Sequence, residues 1–94
     1  MPANSDKVTV TREFGLSHGD FFRIFPRVWP AYQTVGEHHV RLEFSPASCL
    51  DILLSAQQYR RLATLKIPYM DIEFIFSGVD ESQRTEFFEK FERA

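Results

Sequence analysis

The chain has 94 residues, 44% of them hydrophobic and 26% charged, with ten Phe. A chain this short buries only roughly 60–70% of its unfolded surface and holds one core, so two domains and a simple disordered tract are both excluded. The net charge of −2 provides no global attraction to nucleic acid, and the single Cys49 excludes a disulfide framework and any zinc site built on several cysteines.

The opening residues 1–6 are short and polar, which predicts a disordered leader with neither a secretory signal nor a membrane span. Val8–Phe14 alternates and carries β-branched residues, so it reads as the first strand, closed by Gly15. Ser17 with Asp20 three positions on is a capping-box pattern that opens the first helix. Phe21, Phe22, Ile24, Phe25 and Val28 give that helix one broad apolar face, and Arg23 and Arg27 lie together on the other. Pro26 removes a backbone donor and predicts a kink or stop near Phe25, with Pro30 closing the segment and Trp29 packing at its end.

The chain then turns through Gly36, and His39–Phe44 alternates as a second strand with Val40, Leu42 and Phe44 inward. Turn residues at 45–48 lead to a third strand whose inner positions are Leu50, Ile52 and Leu54. The stretch Ser55–Leu65 fits either a helix capped by Ser55 or a turn followed by a fourth strand. The strand is preferred because Arg61, Ala63 and Leu65 then continue an alternation toward the next strand. A hairpin loop around Pro68 and Tyr69 leads to a fifth strand with Ile72, Phe74 and Phe76 inward, Asp71 and Glu73 outward. Asp80 with Gln83 caps a second helix carrying Phe87, Phe88 and Phe91 on one stripe. The expected fold is therefore α+β, in the order β-α-β-β-β-β-α: an antiparallel sheet of about five strands with two helices on one face, and a single domain over 1–94.

Counting out that meander predicts two rows on the solvent side. Lys66, Thr64 and Leu62 would face Asp71, Glu73 and Ile75, and a turn at Gln57–Gln58 would bring Leu53 to Leu62. One row then reads Arg41, Leu53, Leu62, Ile75; the other reads Glu43, Asp51, Thr64, Glu73. Adjacent aliphatics beside adjacent carboxylates describe a contact surface for a protein partner or a second copy. The bland counter-reading is an ordinary surface whose acids are neutralised by Arg12 or Lys66.

Chemistry finds little purchase. His38 and His39 are neighbours in an extended segment and project to opposite faces, with His18 distant, so no metal is expected there. Glu43, Asp51 and Glu73 suit a hard cation only as exposed acids, which are ordinarily solvated. Cys49 has no signal of thiolate activation, no serine sits in a glycine-flanked elbow, and four glycines form no phosphate loop. No cofactor and no catalytic residue is assigned. Arg23, Arg27, Arg60, Arg61 and Lys66 read as separate basic spots, which disfavours nucleic acid, and the lone cysteine suits the cytoplasm.

The runs Val10-Thr-Arg-Glu-Phe14, Ser17-His-Gly-Asp-Phe-Phe-Arg-Ile-Phe-Pro26 and Arg61-Leu-Ala-Thr-Leu-Lys-Ile-Pro68 resemble a set of short bacterial α+β proteins, a likeness that covers most of the chain and implies no activity or cofactor. The element order also resembles that of TATA-binding-protein-like helix-on-sheet domains, in architecture alone. The expected function is a small non-catalytic binding module using the solvent-facing side of its sheet. The alternative is a ligand-binding or enzymatic protein with a pocket between the first helix and the sheet, near Trp29 and His38.

Overall fold

The computed structural model describes residues 7–93, so the leader expected at 1–6 lies outside the described residues. The elements are β1 (Lys7–Phe14), α1 (His18–Val28), β2 (Gln33–Gly36), β3 (His39–Ser45), β4 (Ser48–Leu54), β5 (Gln58–Leu62), β6 (Leu65–Ser77) and α2 (Glu81–Arg93). The α+β class and the expected element order hold, with one strand more than expected: β2, whose four exposed residues carry no apolar alternation to announce it.

The sheet is antiparallel, in the order β1-β6-β4-β3-β2, with β5 paired to β6 off this path. At 13 residues β6 spans about 40 Å. Its second half is the centre of the sheet, held by β1 on one side and β4 on the other. Met70, Ile72, Phe74 and Phe76 have no exposed surface and form the floor of the core. Each such side chain is worth roughly 1.5–3 kcal/mol of burial. Both helices cover this face: α1 buries Phe21 and Phe25, α2 buries Phe87, Phe88 and Phe91. The rings of Phe87 and Phe88 meet Phe74 edge to face at 5.8 and 4.9 Å, and Trp29 stacks on Phe87 at 4.6 Å.

Both helix starts are built as their sequences foretell. Ser17 accepts from the Asp20 amide at 3.0 Å while Asp20 accepts from the Ser17 amide; Asp80 and Gln83 exchange the equivalent pair at 2.8 and 3.2 Å. The Asp20 carboxyl is held below its ordinary pKa, first by that backbone amide and then by the Ser17 hydroxyl. Pro26 does not end α1 at Phe25. The helix runs to Val28, and the Trp29 amide donates to the Phe25 carbonyl at 3.0 Å. The last turn is held from outside by Phe25, Trp29 and Tyr32, whose rings pack together and replace what the missing proline donor gives up.

The larger correction concerns β5 and β6. The chain reverses at Ala63–Thr64, between Leu62 and Leu65, and β6 continues straight through Pro68 where a turn was expected. Ala63 adopts a φ of 56°, and residues 61, 63 and 65 are exposed rather than inward. Proline is tolerated in the strand because the β5 ladder runs through Tyr59↔Pro68 while β1 ends at Phe14↔Met70, leaving the other edge of β6 bare at Pro68. The meander count therefore fails: β4 pairs directly with β6, Leu53 faces Glu73 and His39, and Leu62 faces Leu65. Phe44, expected inward, is 39% exposed beyond an irregularity at the end of β3.

Candidate functional site

Residues 58–69 leave the body of the protein as a two-stranded arm, about 16 Å of ribbon beyond the last residue that β1 covers. The described residues extend 53 × 26 × 25 Å in consequence. An isolated hairpin of this size is marginal in water, so its anchorage matters. It grows from the central strand, which fixes one leg. The other leg is fixed by Gln57: its amide nitrogen lies 3.2 Å from the Leu16 carbonyl and 3.1 Å from the Tyr69 carbonyl, and its oxygen accepts from the His18 amide at 2.7 Å. Ser55 adds a bond from the Asp71 amide to its hydroxyl at 2.9 Å, and its carbonyl accepts from His18 Nε2 at 2.8 Å, which requires the proton on that nitrogen. The root of the arm is thus tied to the start of α1.

Three cations lie on the arm, Arg60, Arg61 and Lys66, and no carboxylate. Arg60 reaches back to Glu13 at 3.0 Å and lies over the Tyr69 ring at 4.3 Å. The Glu13 charge, then its hydrogen bond, raises the Arg60 pKa. Lys66 lies over the Tyr59 ring at 4.4 Å. Arg61 and Lys66 face each other across the ribbon. At the tip Leu62 and Leu65 are directly paired, 57% and 64% exposed, and Tyr59 is 54% exposed. Paired leucines at the end of a projection, flanked by cations, keep more than half of their surface open to solvent.

The residues expected to form a contact surface are divided by the structure. Arg41, Asp51 and Ile75 lie in one cross-strand row; Leu53 and Glu73 lie in the next, beside His39; Glu43 stands opposite Cys49; Leu62 is on the arm. Neither predicted row exists. The expected repulsion between Glu43 and Asp51 is absent because Asp51 accepts from Arg41 Nε and His39 Nε2, both at 2.8 Å. Burial works to raise the Asp51 pKa, but the bonds from His39 and then Arg41 outweigh it and hold the carboxyl below its ordinary range. The same bond from Asp51 raises the Arg41 guanidinium. Arg12, offered as a neutralising partner, instead pairs with Glu92 at 2.8 Å.

Between α1 and the sheet Phe21 and Phe25 are essentially inaccessible, and the Phe25 ring centre lies 5.2 Å from that of Trp29. His18 and His38, distant in sequence, do come together with ring centres 4.3 Å apart. Among the described residues, however, no group of three His, Cys, Asp or Glu side chains is placed to hold a metal ion. An apolar pocket of about 260 Å³ opens near the arm's root, lined by Phe14, Leu16, Phe21, Ile24 and Phe91 with Glu92 at its rim. Its wall includes Gly15, where an added Cβ would stand 3.9 Å from the Pro68 carbonyl oxygen of the arm.

Counting residues by strand period missed the arm because Gln58–Leu62 is exposed throughout and shows no inward face. The available signal was the run 52–70, nineteen residues without an acid, with two leucines that bracket Ala-Thr inside it. No described helix is long and apolar enough to cross a membrane. Comparison with protein-family models, with curated proteins and with solved structures finds no match to this chain.

Proposed function

We propose that this is a non-catalytic protein-binding module whose contact element is the projecting hairpin, with the neighbouring outer face of the sheet as its platform. The observation that carries this reading is the exposed Leu62–Leu65 pair at the end of an arm anchored at its root. A ribbon of that length adds nothing to the core, and its ordering costs roughly 1–2 kcal/mol of backbone entropy per residue, so its use is outward. Protein is favoured over nucleic acid because leucines occupy the tip, Arg60 is engaged by Glu13, and Asp71 and Glu73 follow the arm on β6. Phosphates approaching the sheet would meet those carboxylates. The lone free Cys49 supports a reducing, cytoplasmic setting.

The test is a pull-down from a bacterial lysate, comparing immobilised wild type with the Leu62→Glu, Leu65→Glu double variant. Selective loss of captured protein from the variant is expected. Equal capture by both, together with an unchanged solution mass of the double variant, refutes the reading, and capture that vanishes with nuclease treatment redirects it to nucleic acid.

A further inference from the structure

We infer that the occupant of the arm is a second copy of this chain, the leucine tip of each arm seated in the apolar pocket at the root of the other. The inference rests on the reading of the arm as a contact element and names its partner.

Both halves of the contact are present in one molecule. The tip offers Leu62 and Leu65 side by side; the pocket near the root offers Phe14, Leu16, Phe21, Ile24 and Phe91 in about 260 Å³. A cavity of about 150 Å³ lined by aliphatic and aromatic side chains takes up benzene, so this one has room for a leucine side chain. The charges match as well. The arm carries three cations and no acid, and since the whole chain has 11 basic and 13 acidic residues, the remainder has 8 against 13, a net of −5. The acids at the pocket and the root are Glu92, which is paired with Arg12, Glu13, which is paired with Arg60, and Asp71 opposite Glu13.

Two-fold symmetry closes this arrangement. A rotation that places one tip on the partner's pocket places the partner's tip on the first pocket, so no free sticky end remains to propagate a fibre. Because the pocket lies at the root, the two arms run antiparallel. The cationic half of each, with Arg61 and Lys66, then passes over the root of the other, where Asp71 lies beside the ion-paired Glu13. Simple edge pairing of β5 with β5 is disfavoured, since the adjacent Arg60 and Arg61 would set arginine against arginine across the two-fold axis.

Sedimentation equilibrium on the full chain, from about 1 μM to about 1 mM, reads the association directly. Wild type should approach twice its 11.0 kDa mass and dissociate more readily as salt rises. Leu62→Glu is exposed and leaves folding intact. It removes both symmetric contacts, so a loss of about tenfold at each raises the dissociation constant about a hundredfold. Ile24→Glu in the pocket wall should do the same, with circular dichroism confirming that it folds.

The decisive arm mixes these two variants. Each alone lacks both contacts, but a mixed pair retains one good tip on one good pocket, so the mixture should associate where neither variant does. A wild type that stays monomeric at 1 mM, a dimer indifferent to Leu62→Glu, or a mixture that remains monomeric each overturns the inference. If the tip-dependent pull-down survives that result, only the dimer is wrong; if it does not, the arm is not a contact element at all.

Discussion

Replacing Gly78 with alanine tests how the end of β6 is held against the rest of the sheet. Gly78 adopts a φ of +66°, and a Cβ built there would lie 2.4 Å from the Ala47 carbonyl oxygen, with the Ala47 carbon and Ser48 Cα at 3.4 and 3.5 Å. Two separate penalties follow. The left-handed backbone conformation disfavours any side chain by about 1–2 kcal/mol. The clash is with main chain, in a turn that the Ser45 hydroxyl braces against the Ala47 amide at 3.2 Å and the Ser48 hydroxyl at 2.8 Å, so relief requires the turn to move. Overpacking of that kind adds about 1–3 kcal/mol. The middle of the combined range is about 3.5 kcal/mol. For a domain of this size that lowers the melting temperature by about 14–28 °C. Thermal unfolding followed by circular dichroism measures it, with Gly19→Ala as the control. Gly19 lies in α1, and a Cβ built there would have the Ser17 hydroxyl as its nearest neighbour at 3.8 Å, so alanine there should be neutral or stabilise by up to about 1 kcal/mol. Should Gly78→Ala melt within about 3 °C of wild type, the close packing of Gly78 on the Ala47–Ser48 turn is wrong.

Further substitutions probe the core, the outer face and the arm's root. Phe74→Ala removes the ring on which α2 and Phe14 converge, and should lose about 3–5 kcal/mol in urea unfolding, comparable to the whole stability of a marginal domain. Asp51→Asn weakens the bonds to His39 and Arg41 and should lose about 1–2 kcal/mol at pH 7. Because the folded-state pKa of Asp51 is depressed, its contribution is complete above the unfolded-state pKa and disappears as pH falls through the folded-state value. The wild type should therefore show a larger acid loss of stability than the variant, which retains only the share due to Asp20 and the remaining carboxylates, measured by unfolding from pH 7 down to about pH 2. Gln57→Ala releases Leu16, Tyr69 and the His18 amide at once; hydrogen exchange should quicken across residues 58–69 while the amides around Phe74 stay protected.

Periodicity alone was enough to find the inward faces of β4 and of the second half of β6, though it misplaced Phe44 and residues 61, 63 and 65. Leu50, Ile52 and Leu54, or Ile72, Phe74 and Phe76, leave no choice of side, because a one-residue slip would expose every one of them. The two capping boxes were equally legible, being contacts between residues three apart. What the chain order did not reveal is which strands are neighbours. The local pattern suits a hairpin at Pro68 as well as one at Ala63–Thr64. The choice falls to β1 and β4, which occupy both flanks of β6 from Ile72 to Ser77 and leave β5 only the half beyond them. That competition for the edges of one strand is a long-range matter, invisible to spacing. It alone carries Leu62 away from Ile75 and out to the end of an arm.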